Sequence, residues 1–273
     1  MKPLVSTDWL NLNLKKVRIL DASWHMPNVA RNGKNEYLKH HIPGALFWDL
    51  EEFSDKKSAL PHMMPQSEDW SSMISSIGIK NNDHVIIYDD SDVKSSCRCW
   101  FNFLYFGHNP NLVSVLDGGL KKWVDEKKPL TKDIKEFKTS KYEIEENKKY
   151  ILNKNDIDEN IKTQFYKVVD ARSKKRFEGS EPEIRKGLRS GNIEGSYNLP
   201  FQNCFDQTSN TFKKKEDLKK VFENLNLSFP INMVFTCGSG VTACILGMAN
   251  SIINDKTPLI YDGSWAEYGL IKK

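Results

Sequence analysis

An internal repeat limits the folds that this chain of 273 residues can adopt. Four short motifs occur in the same order in both halves of the chain. They are residues 19–22, 42–45, 85–89 and 115–118 in the first copy, and residues 168–171, 193–196, 233–237 and 259–263 in the second. The stretch from Asp21 to Asp89 and the stretch from Asp170 to Cys237 differ in length by one residue. Since a repeat marks a recurring structural unit, the sequence predicts two copies of one domain.

Each copy alternates short apolar, β-branched runs with longer amphipathic stretches, such as residues 71–77 and 218–225. This alternation predicts βαβ units, and therefore an α/β fold built around a mostly parallel sheet. We predict an N-terminal domain over residues 1–126 and a C-terminal domain over residues 151–273. Residues 127–150 are rich in Lys and Glu and are predicted to be a solvated linker.

The composition excludes several classes of protein. The net charge of +4 and the pI near 8.6 come from lysines spread along the chain, whereas a nucleic-acid-binding protein presents a clustered basic face or a recognisable module. No apolar run approaches the length of a membrane span, and the first ten residues resemble neither a secretory signal nor a transit peptide. We therefore expect neither a nucleic acid nor a membrane as a partner.

The five cysteines indicate a reducing compartment, because their number is odd and their spacing is not that of a disulfide framework. We expect a cytoplasmic protein. Cys97 and Cys99 have no second pair of ligands at metal-binding spacing, and Cys244 lies about one turn inside a predicted helix. We interpret all three as packed thiols, and we predict neither a metal nor a cofactor.

The candidate active site begins at Cys237. A predicted strand, residues 233–236, leads into the small-residue sequence Cys-Gly-Ser-Gly-Val-Thr-Ala-Cys, after which an apolar, helix-like stretch follows. Such a loop directs backbone N–H groups and a helix N-terminus at its own centre, where they stabilise an anion. The thiolate is the nucleophilic form of cysteine. Cys237 is therefore the candidate nucleophile.

Two alternatives compete with this interpretation. A free cysteine is most often a small buried residue, here one that closes a strand, but Gly238 and Gly240 favour a loop that curls tightly around a ligand. A cysteine phosphatase needs an arginine six positions after its cysteine to clamp a phosphate, and this chain has Ala243 there. The loop therefore does not predict phosphate-ester chemistry.

Motifs along nearly the whole chain resemble the rhodanese-like sulfurtransferases. They are the cysteine loop at 237–244 and residues 20–24, 41–45, 61–63, 116–119, 169–172 and 261–265. The loop resembles the 3-mercaptopyruvate sulfurtransferase branch, because thiosulfate-preferring rhodaneses tend to carry basic residues where this chain has Gly238 and Ser239. The resemblance implies two tandem rhodanese-like domains, each a mostly parallel sheet flanked by helices.

The resemblance also implies that the N-terminal domain is catalytically silent. Asp89 stands where the second copy has Cys237, and residues 90–97 contain no glycine. A carboxylate cannot carry a sulfane sulfur, and we expect an anion-binding loop around a carboxylate to have an energetic cost. The C-terminal domain is therefore expected to be the catalytic one.

For the substrate carboxylate, the resemblance implies Arg176 and Arg185, and a guanidinium fork suits that role because it binds carboxylates bidentately. Arg172 and Arg189 are neighbouring competitors, and any of these arginines could instead be a surface ion-pair partner. The loop positions predicted to contact substrate are Gly238, Gly240 and Val241.

The resemblance further implies a proton relay beside the nucleophile. A serine of the loop, Ser239, would work with a histidine and an acid from the first domain, which match His62 and Glu51. Thr242 offers a second loop hydroxyl. Glutamate reaches one methylene further than the aspartate found in family members. The alternative for His62 is a packed or surface histidine without a catalytic role.

Three functions remain open from the sequence. The first is transfer of sulfur from 3-mercaptopyruvate, a small-molecule donor, through a persulfide on Cys237 to cyanide or to a thiol acceptor such as thioredoxin, with release of pyruvate. The second is the same fold with a preference for thiosulfate. The third is a non-catalytic rhodanese-like sulfur-carrier or binding module. The glycine-lined cysteine loop favours catalysis, and the uncharged Gly238 and Ser239 favour the first function over the second.

Overall fold

The computed structural model describes residues 2–227 and 231–271, which divide into two compact units. The first unit takes the described residues up to Lys56 together with Met64–Asn147 and Asp206–Phe212. The second unit takes Lys57–Met63, Lys148–Phe205 and the described residues from Lys213 onwards. Each unit therefore contains one copy of the repeat, and each receives a short segment from elsewhere in the chain.

The first unit is a five-stranded sheet with every strand pair parallel, in the order β1-β5-β4-β2-β3. Its central strand, β4, is buried along its whole length, as expected for a strand that helices cover on both faces. The strands are β1 (Leu4–Val5), β2 (Arg18–Asp21), β3 (Ala45–Phe47), β4 (Val85–Tyr88) and β5 (Val113–Leu116), and the helices are α1 (Thr7–Asn13), α2 (Gly33–Lys39), α3 (Ser67–Ser76), α4 (Ser96–Tyr105) and α5 (Gly119–Asp125).

The second unit has the same topology, a parallel sheet in the order β6-β10-β9-β7-β8. Its strands are β6 (Ile151–Leu152), β7 (Lys167–Asp170), β8 (Tyr197–Asn198), β9 (Met233–Thr236) and β10 (Leu259–Tyr261), and its helices are α6 (Lys154–Thr163), α7 (Lys174–Glu178), α8 (Lys215–Glu223), α9 (Ala243–Asn254) and α10 (Ser264–Tyr268). Two tandem parallel α/β units were predicted from the repeat, and the structure confirms them.

The candidate site lies at the end of the central strand of the second sheet. Strand β9 is the third of five strands and ends at Thr236, directly before Cys237. Its apolar side chains, Val234 and Phe235, are fully buried. Ligands of parallel α/β sheets bind beyond the carboxyl ends of the strands, because the connecting loops and the helix N-termini meet there. Cys237 therefore lies where the fold places ligands.

Residues 127–147, most of the predicted linker, run along the first unit. Thr131 exchanges two backbone hydrogen bonds of 2.9 Å with His41, and Tyr142 is buried with its ring stacked on His108. The Lys- and Glu-rich segment is thus attached to the first unit at these points, although Leu130 and Ile134 are exposed. The second unit begins with a short 3-10 helix at Lys148–Tyr150. The domain bounds 1–126 and 151–273 stay predictions.

Asp21, the last residue of β2, is a buried carboxylate without an arginine neighbour of the kind that Asp170 has. Its Oδ1 accepts hydrogen bonds from the backbone N–H of Ser23 at 3.0 Å and from the Ser23 hydroxyl at 2.5 Å. Burial nevertheless raises the pKa of Asp21 to about 7. The folded chain therefore holds a proton there that the unfolded chain releases near pH 4.

The Asp21→Asn protein should gain stability relative to the wild type as the pH rises. Since the folded pKa of Asp21 is raised, its contribution is full below about pH 4 and is lost progressively up to about pH 7. Asparagine cannot ionise, so the difference in unfolding free energy should grow by up to about 4 kcal/mol across this window. Urea unfolding at pH 4 and pH 8 measures most of this change.

The matched control is Asp170→Asn in the second unit. Asp170 pairs with the buried Arg172 at 2.7 Å, so its replacement should destabilise the protein at both pH values. A constant difference between Asp21→Asn and the wild type would contradict the assignment of a raised pKa to Asp21.

Candidate active site

The loop from Cys237 to Thr242 connects β9 to α9. Gly240 has φ +77, a left-handed conformation that glycine adopts without strain. This turn allows the chain to reverse and enter α9 at Ala243. Cys237 is almost completely buried, with an exposed fraction of 2%. The glycine that the sequence analysis took as a sign of tight curling is therefore required by the backbone.

Ser264, the first residue of α10, organises this loop. Its Oγ accepts the backbone N–H of Cys237 at 3.2 Å and that of Gly240 at 3.1 Å, and its hydroxyl donates to the Tyr261 carbonyl at 2.8 Å. Ser264 itself has φ +49. One buried hydroxyl thus fixes both ends of the turn that carries the cysteine.

The residues after Ser264 at the start of α10 also donate hydrogen bonds to the cysteine loop. The backbone N–H of Trp265 donates to the Cys237 carbonyl at 2.9 Å, and that of Ala266 donates to the Gly238 carbonyl at 2.8 Å. Among the described residues, the N–H groups of Ser239, Val241 and Thr242 donate to no other group. These three amides remain available to an anion, together with the N-terminal end of α9.

The four other cysteines are buried and free of disulfides; they are Cys97, Cys99, Cys204 and Cys244. Burial raises the pKa of Cys99, and it raises that of Cys204 to about 12. The Sγ of Cys244 donates to the Gly240 carbonyl at 3.2 Å, as a packed thiol in the first turn of α9 does. These environments disfavour a thiolate.

Ser239 and His62 are brought together. The Ser239 Oγ and the His62 Nδ1 are 2.9 Å apart, and both residues are buried, with exposed fractions of 6% and 4%. His62 has φ +60, which turns the chain sharply at this position. Although His62 belongs to the first copy by sequence, it lies in the segment Lys57–Met63 of the second unit. This histidine, which the resemblance assigns to the first domain, thus packs with the second unit, and its catalytic role stays a prediction.

Glu51, the predicted acid of the relay, lies in the first unit and is exposed. Its Oε1 accepts the indole N–H of Trp24 at 2.9 Å. Thr242 is half-buried and sits at the N-terminus of α9 without a capping hydrogen bond from its side chain. The catalytic roles of both residues stay predictions.

Arg176 and Arg185, which we call the arginine pair, both reach the cysteine loop. A Cβ placed on Gly238 would lie 3.3 Å from the Arg176 Nη2 and 3.8 Å from the Arg185 Nη1. Any side chain at position 238 would therefore press against two guanidinium groups. The arginine pair therefore places two positive charges next to Gly238, the neighbour of Cys237 in the loop.

The two competing arginines have other partners. Arg172 is buried and donates to both oxygens of Asp170, to Glu183 and to the Gly191 carbonyl. Arg189 is exposed and stacks on the Trp265 ring, 4.4 Å from its centroid. Arg176 likewise pairs with Glu183 at 2.5 Å, so ion pairing does not separate the candidates, and the substrate roles of the arginine pair stay predictions.

Comparison with known proteins places this site in a family. A family profile described as the rhodanese-like domain matches residues 6–126. The mitochondrial thiosulfate/3-mercaptopyruvate sulfurtransferase 1 of Arabidopsis thaliana is 39% identical over 290 residues, covering 98% of this chain and 76% of the plant protein. The 3-mercaptopyruvate sulfurtransferase of Mus musculus is 36% identical over 275 residues, covering 98% and 92%. The chain belongs to the rhodanese-like sulfurtransferase family.

The fold of this sulfurtransferase agrees with the sequence match. The crystal structure of SseA from Escherichia coli, a 3-mercaptopyruvate sulfotransferase of the rhodanese fold, superposes with a TM-score of 0.87 at 30% identity. The alignment covers 98% of this chain and 100% of that one. The resemblance inferred from the sequence motifs is confirmed, and so is the tandem rhodanese fold.

The loop of the first unit of this sulfurtransferase is arranged differently. The Asp89 carboxylate accepts the backbone N–H of Ser91 at 3.0 Å and that of Ser96 at 2.8 Å. We expected an anion-binding loop around a carboxylate to have an energetic cost, and this expectation is wrong. The loop stabilises the carboxylate, because its own N–H groups donate to it.

Two functional features of the sulfurtransferase site escaped the sequence analysis. Ser264 lies in the motif 261–265, which carried the resemblance, yet nothing in the sequence shows that its hydroxyl reaches the cysteine loop. The side chain of Glu183 is buried and accepts hydrogen bonds from Arg172 at 2.7 Å and from Arg176 at 2.5 Å. The available signal for Glu183 was its place between Arg176 and Arg185 in sequence, which Glu178 and Glu181 share.

Residues 2–227 and 231–271 contain no group of three or more His, Cys, Asp or Glu side chains that could hold a metal ion. In the same part of the chain, no helix has the length and apolar character needed to cross a membrane.

Proposed function

We propose that this sulfurtransferase takes sulfur from 3-mercaptopyruvate onto Cys237, releases pyruvate and passes the sulfur to a thiol acceptor or to cyanide. The observation that carries the proposal is the arginine pair at Gly238. Two guanidinium groups beside the nucleophile suit a donor with a carboxylate and a neighbouring carbonyl. The loop positions Gly238 and Ser239 add no further positive charge.

In the first half-reaction, the Cys237 thiolate attacks the donor sulfur. The new S–S bond forms as the C–S bond of 3-mercaptopyruvate breaks, and the electron pair of that bond passes to carbon, giving the pyruvate enolate and a persulfide on Cys237. Free N–H groups of Ser239, Val241 and Thr242 stabilise the sulfur anion. The arginine pair holds the carboxylate so that the sulfur faces Cys237.

The enolate then takes a proton to become pyruvate. Ser239 is suited to assist, since its Oγ lies 2.9 Å from the His62 Nδ1. The proton lost by the terminal persulfide sulfur balances the one that the enolate gains. Glu51 as the acid of this relay, and Thr242 as a second hydroxyl, follow from the family resemblance.

In the second half-reaction, an acceptor thiolate attacks the outer sulfur and leaves with it, and Cys237 departs as the thiolate. A small dithiol protein such as thioredoxin is our proposed physiological acceptor, and cyanide would leave as thiocyanate. We assign both half-reactions to the second unit, with a catalytically silent first domain. The free, buried cysteines support a reducing compartment, for which we propose the cytoplasm.

Thiosulfate is the second candidate donor, because the plant relative carries both donors in its name. Steady-state kinetics with 3-mercaptopyruvate and with thiosulfate, using one acceptor, test the proposal. We expect the higher kcat/KM with 3-mercaptopyruvate. A higher value with thiosulfate would reverse the donor assignment, and no turnover with either would favour the non-catalytic alternative.

Arg176→Lys and Arg185→Lys should each raise the KM for 3-mercaptopyruvate by roughly tenfold, with a smaller effect on kcat. Lysine keeps the charge but loses the planar fork, so bidentate contact with the carboxylate is lost. Initial rates over a range of donor concentrations measure this. Arg189→Lys is the control, since its guanidinium stacks on Trp265. Unchanged KM values in both variants of the pair would place the carboxylate elsewhere.

A further inference from the structure

Glu183 is a buried carboxylate that pairs with Arg176 of the arginine pair and takes no part in the proposed reaction. Its side chain is 2% exposed, its Oε1 accepts from the Arg172 Nη1 at 2.7 Å, and its Oε2 accepts from the Arg176 Nη2 at 2.5 Å. A buried charge is screened little by salt or solvent. Its negative charge therefore contributes to the binding free energy of any charged ligand nearby.

Arg172 does not depend on Glu183 for charge neutralisation, because Asp170 is also its counter-ion. It donates to Asp170 at 2.9 and 2.7 Å and to the Gly191 carbonyl at 2.9 Å, and its guanidinium lies 4.4 Å from the centroid of the Trp265 ring. Burial alone lowers the pKa of Arg172, but the ion pairs with Asp170 and Glu183 raise it above its usual value. The charge of Glu183 is thus left to offset that of Arg176.

Arg176 connects Glu183 to the cysteine loop. The same Nη2 that donates to Glu183 lies 3.3 Å from the Cβ position of Gly238. The Arg176 Nε is buried and has no hydrogen-bond acceptor among the described residues. Only the guanidinium group of Arg176 therefore separates the Glu183 carboxylate from an anion bound at Gly238.

The two candidate donors differ in charge. The carboxylate of 3-mercaptopyruvate carries one negative charge, whereas thiosulfate carries two, so a fixed negative charge repels thiosulfate about twice as strongly. We infer that Glu183 is a positioning residue that holds Arg176 at the loop and, through its charge, selects monoanionic over dianionic sulfur donors. This inference rests on the proposed function.

Glu183→Gln should raise the ratio of kcat/KM for thiosulfate to kcat/KM for 3-mercaptopyruvate by at least about tenfold. One unit of charge within several ångströms of a partly buried anion changes its binding by at least that factor. Persulfide formation on Cys237, followed by mass spectrometry in single turnovers, gives the same ratio without an acceptor. Glu183→Met, which is also neutral, should raise the ratio in the same direction.

Two variants serve as controls. Glu183→Asp keeps the charge and should leave the ratio within about twofold of the wild type. Glu178→Gln removes an exposed carboxylate of α7 that pairs with Lys174, and it matches the change in net charge without touching the site. A merely structural role of Glu183 predicts equal losses with both donors, and an unchanged ratio in the neutral variants would overturn the inference.

The wild-type enzyme provides a test that does not depend on the folding of a variant. Methanesulfonate and sulfate have nearly the same shape but carry one and two negative charges. At constant ionic strength, methanesulfonate should inhibit transfer from 3-mercaptopyruvate at lower concentrations than sulfate. Stronger inhibition by sulfate would contradict the selection of monoanions. A wild type that transfers sulfur from neither donor would instead refute the proposed function.

Discussion

Cys237→Ser should abolish sulfur transfer, with a loss of at least about a thousandfold in kcat from either donor. The serine hydroxyl can receive hydrogen bonds in the same loop, but it cannot form a persulfide, so the covalent route is closed. Donor-treated wild type should carry one added sulfur atom on the peptide that contains Cys237, and the variant should carry none. Mass spectrometry of the unreduced protein measures this.

Cys97→Ser, Cys99→Ser and Cys204→Ser are the controls for this experiment. All three residues are buried outside the loop, so their replacement should keep most of the activity of the folded protein. A persulfide found mainly on one of them would refute Cys237 as the nucleophile. Thermal unfolding of each variant separates a loss of stability from a loss of chemistry.

His62→Ala and Ser239→Ala should each lower kcat by about a hundredfold, and the double variant should be no slower than the poorer single one. The two side chains are 2.9 Å apart and buried, and members of a relay act as one unit, so their losses do not add. Rates of pyruvate release at saturating donor measure the effect.

Additive losses in the His62 and Ser239 variants would argue against a relay. If His62→Ala changes only the unfolding temperature, His62 is a packed histidine and Ser239 with the loop amides must deliver the proton through water. Glu51→Ala tests the third member in the same assay, and a kcat equal to that of the wild type would remove Glu51 from the relay.

The sequence was sufficient for two parallel α/β units and for the position of the cysteine loop, because both depend on local patterns. Apolar runs that end at Asp21, Asp89, Asp170 and Cys237 mark parallel strands whose carboxyl ends carry the loops. The placement of His62 was not predictable in this way. It depends on where residues 57–63 pack, which is determined by contacts with residues distant in sequence, such as Ser239.

The arginines illustrate the same limit. Sequence spacing left Arg172, Arg176, Arg185 and Arg189 as alternatives, because a guanidinium on a loop can point in many directions. Only the folded chain shows their contacts: Arg172 pairs with Asp170, Arg176 pairs with Glu183, and Arg189 stacks on the Trp265 ring. The hydroxyl of Ser264 was missed for a related reason, since a hydrogen bond from one loop to the backbone of another leaves no periodic signal.

The first copy should not regain a sulfur-carrying loop through any single substitution. Cysteine at position 89 would remove the carboxylate that now accepts the N–H groups of Ser91 and Ser96. Gly119 stands where the second copy has Ser264, and a Cβ there would lie 2.4 Å from the Asp89 carbonyl oxygen, so a serine would need the backbone to move. The two copies therefore differ at two positions, 89 and 119, that depend on each other. Changing only one of them back to the residue of the second copy would give a less stable loop.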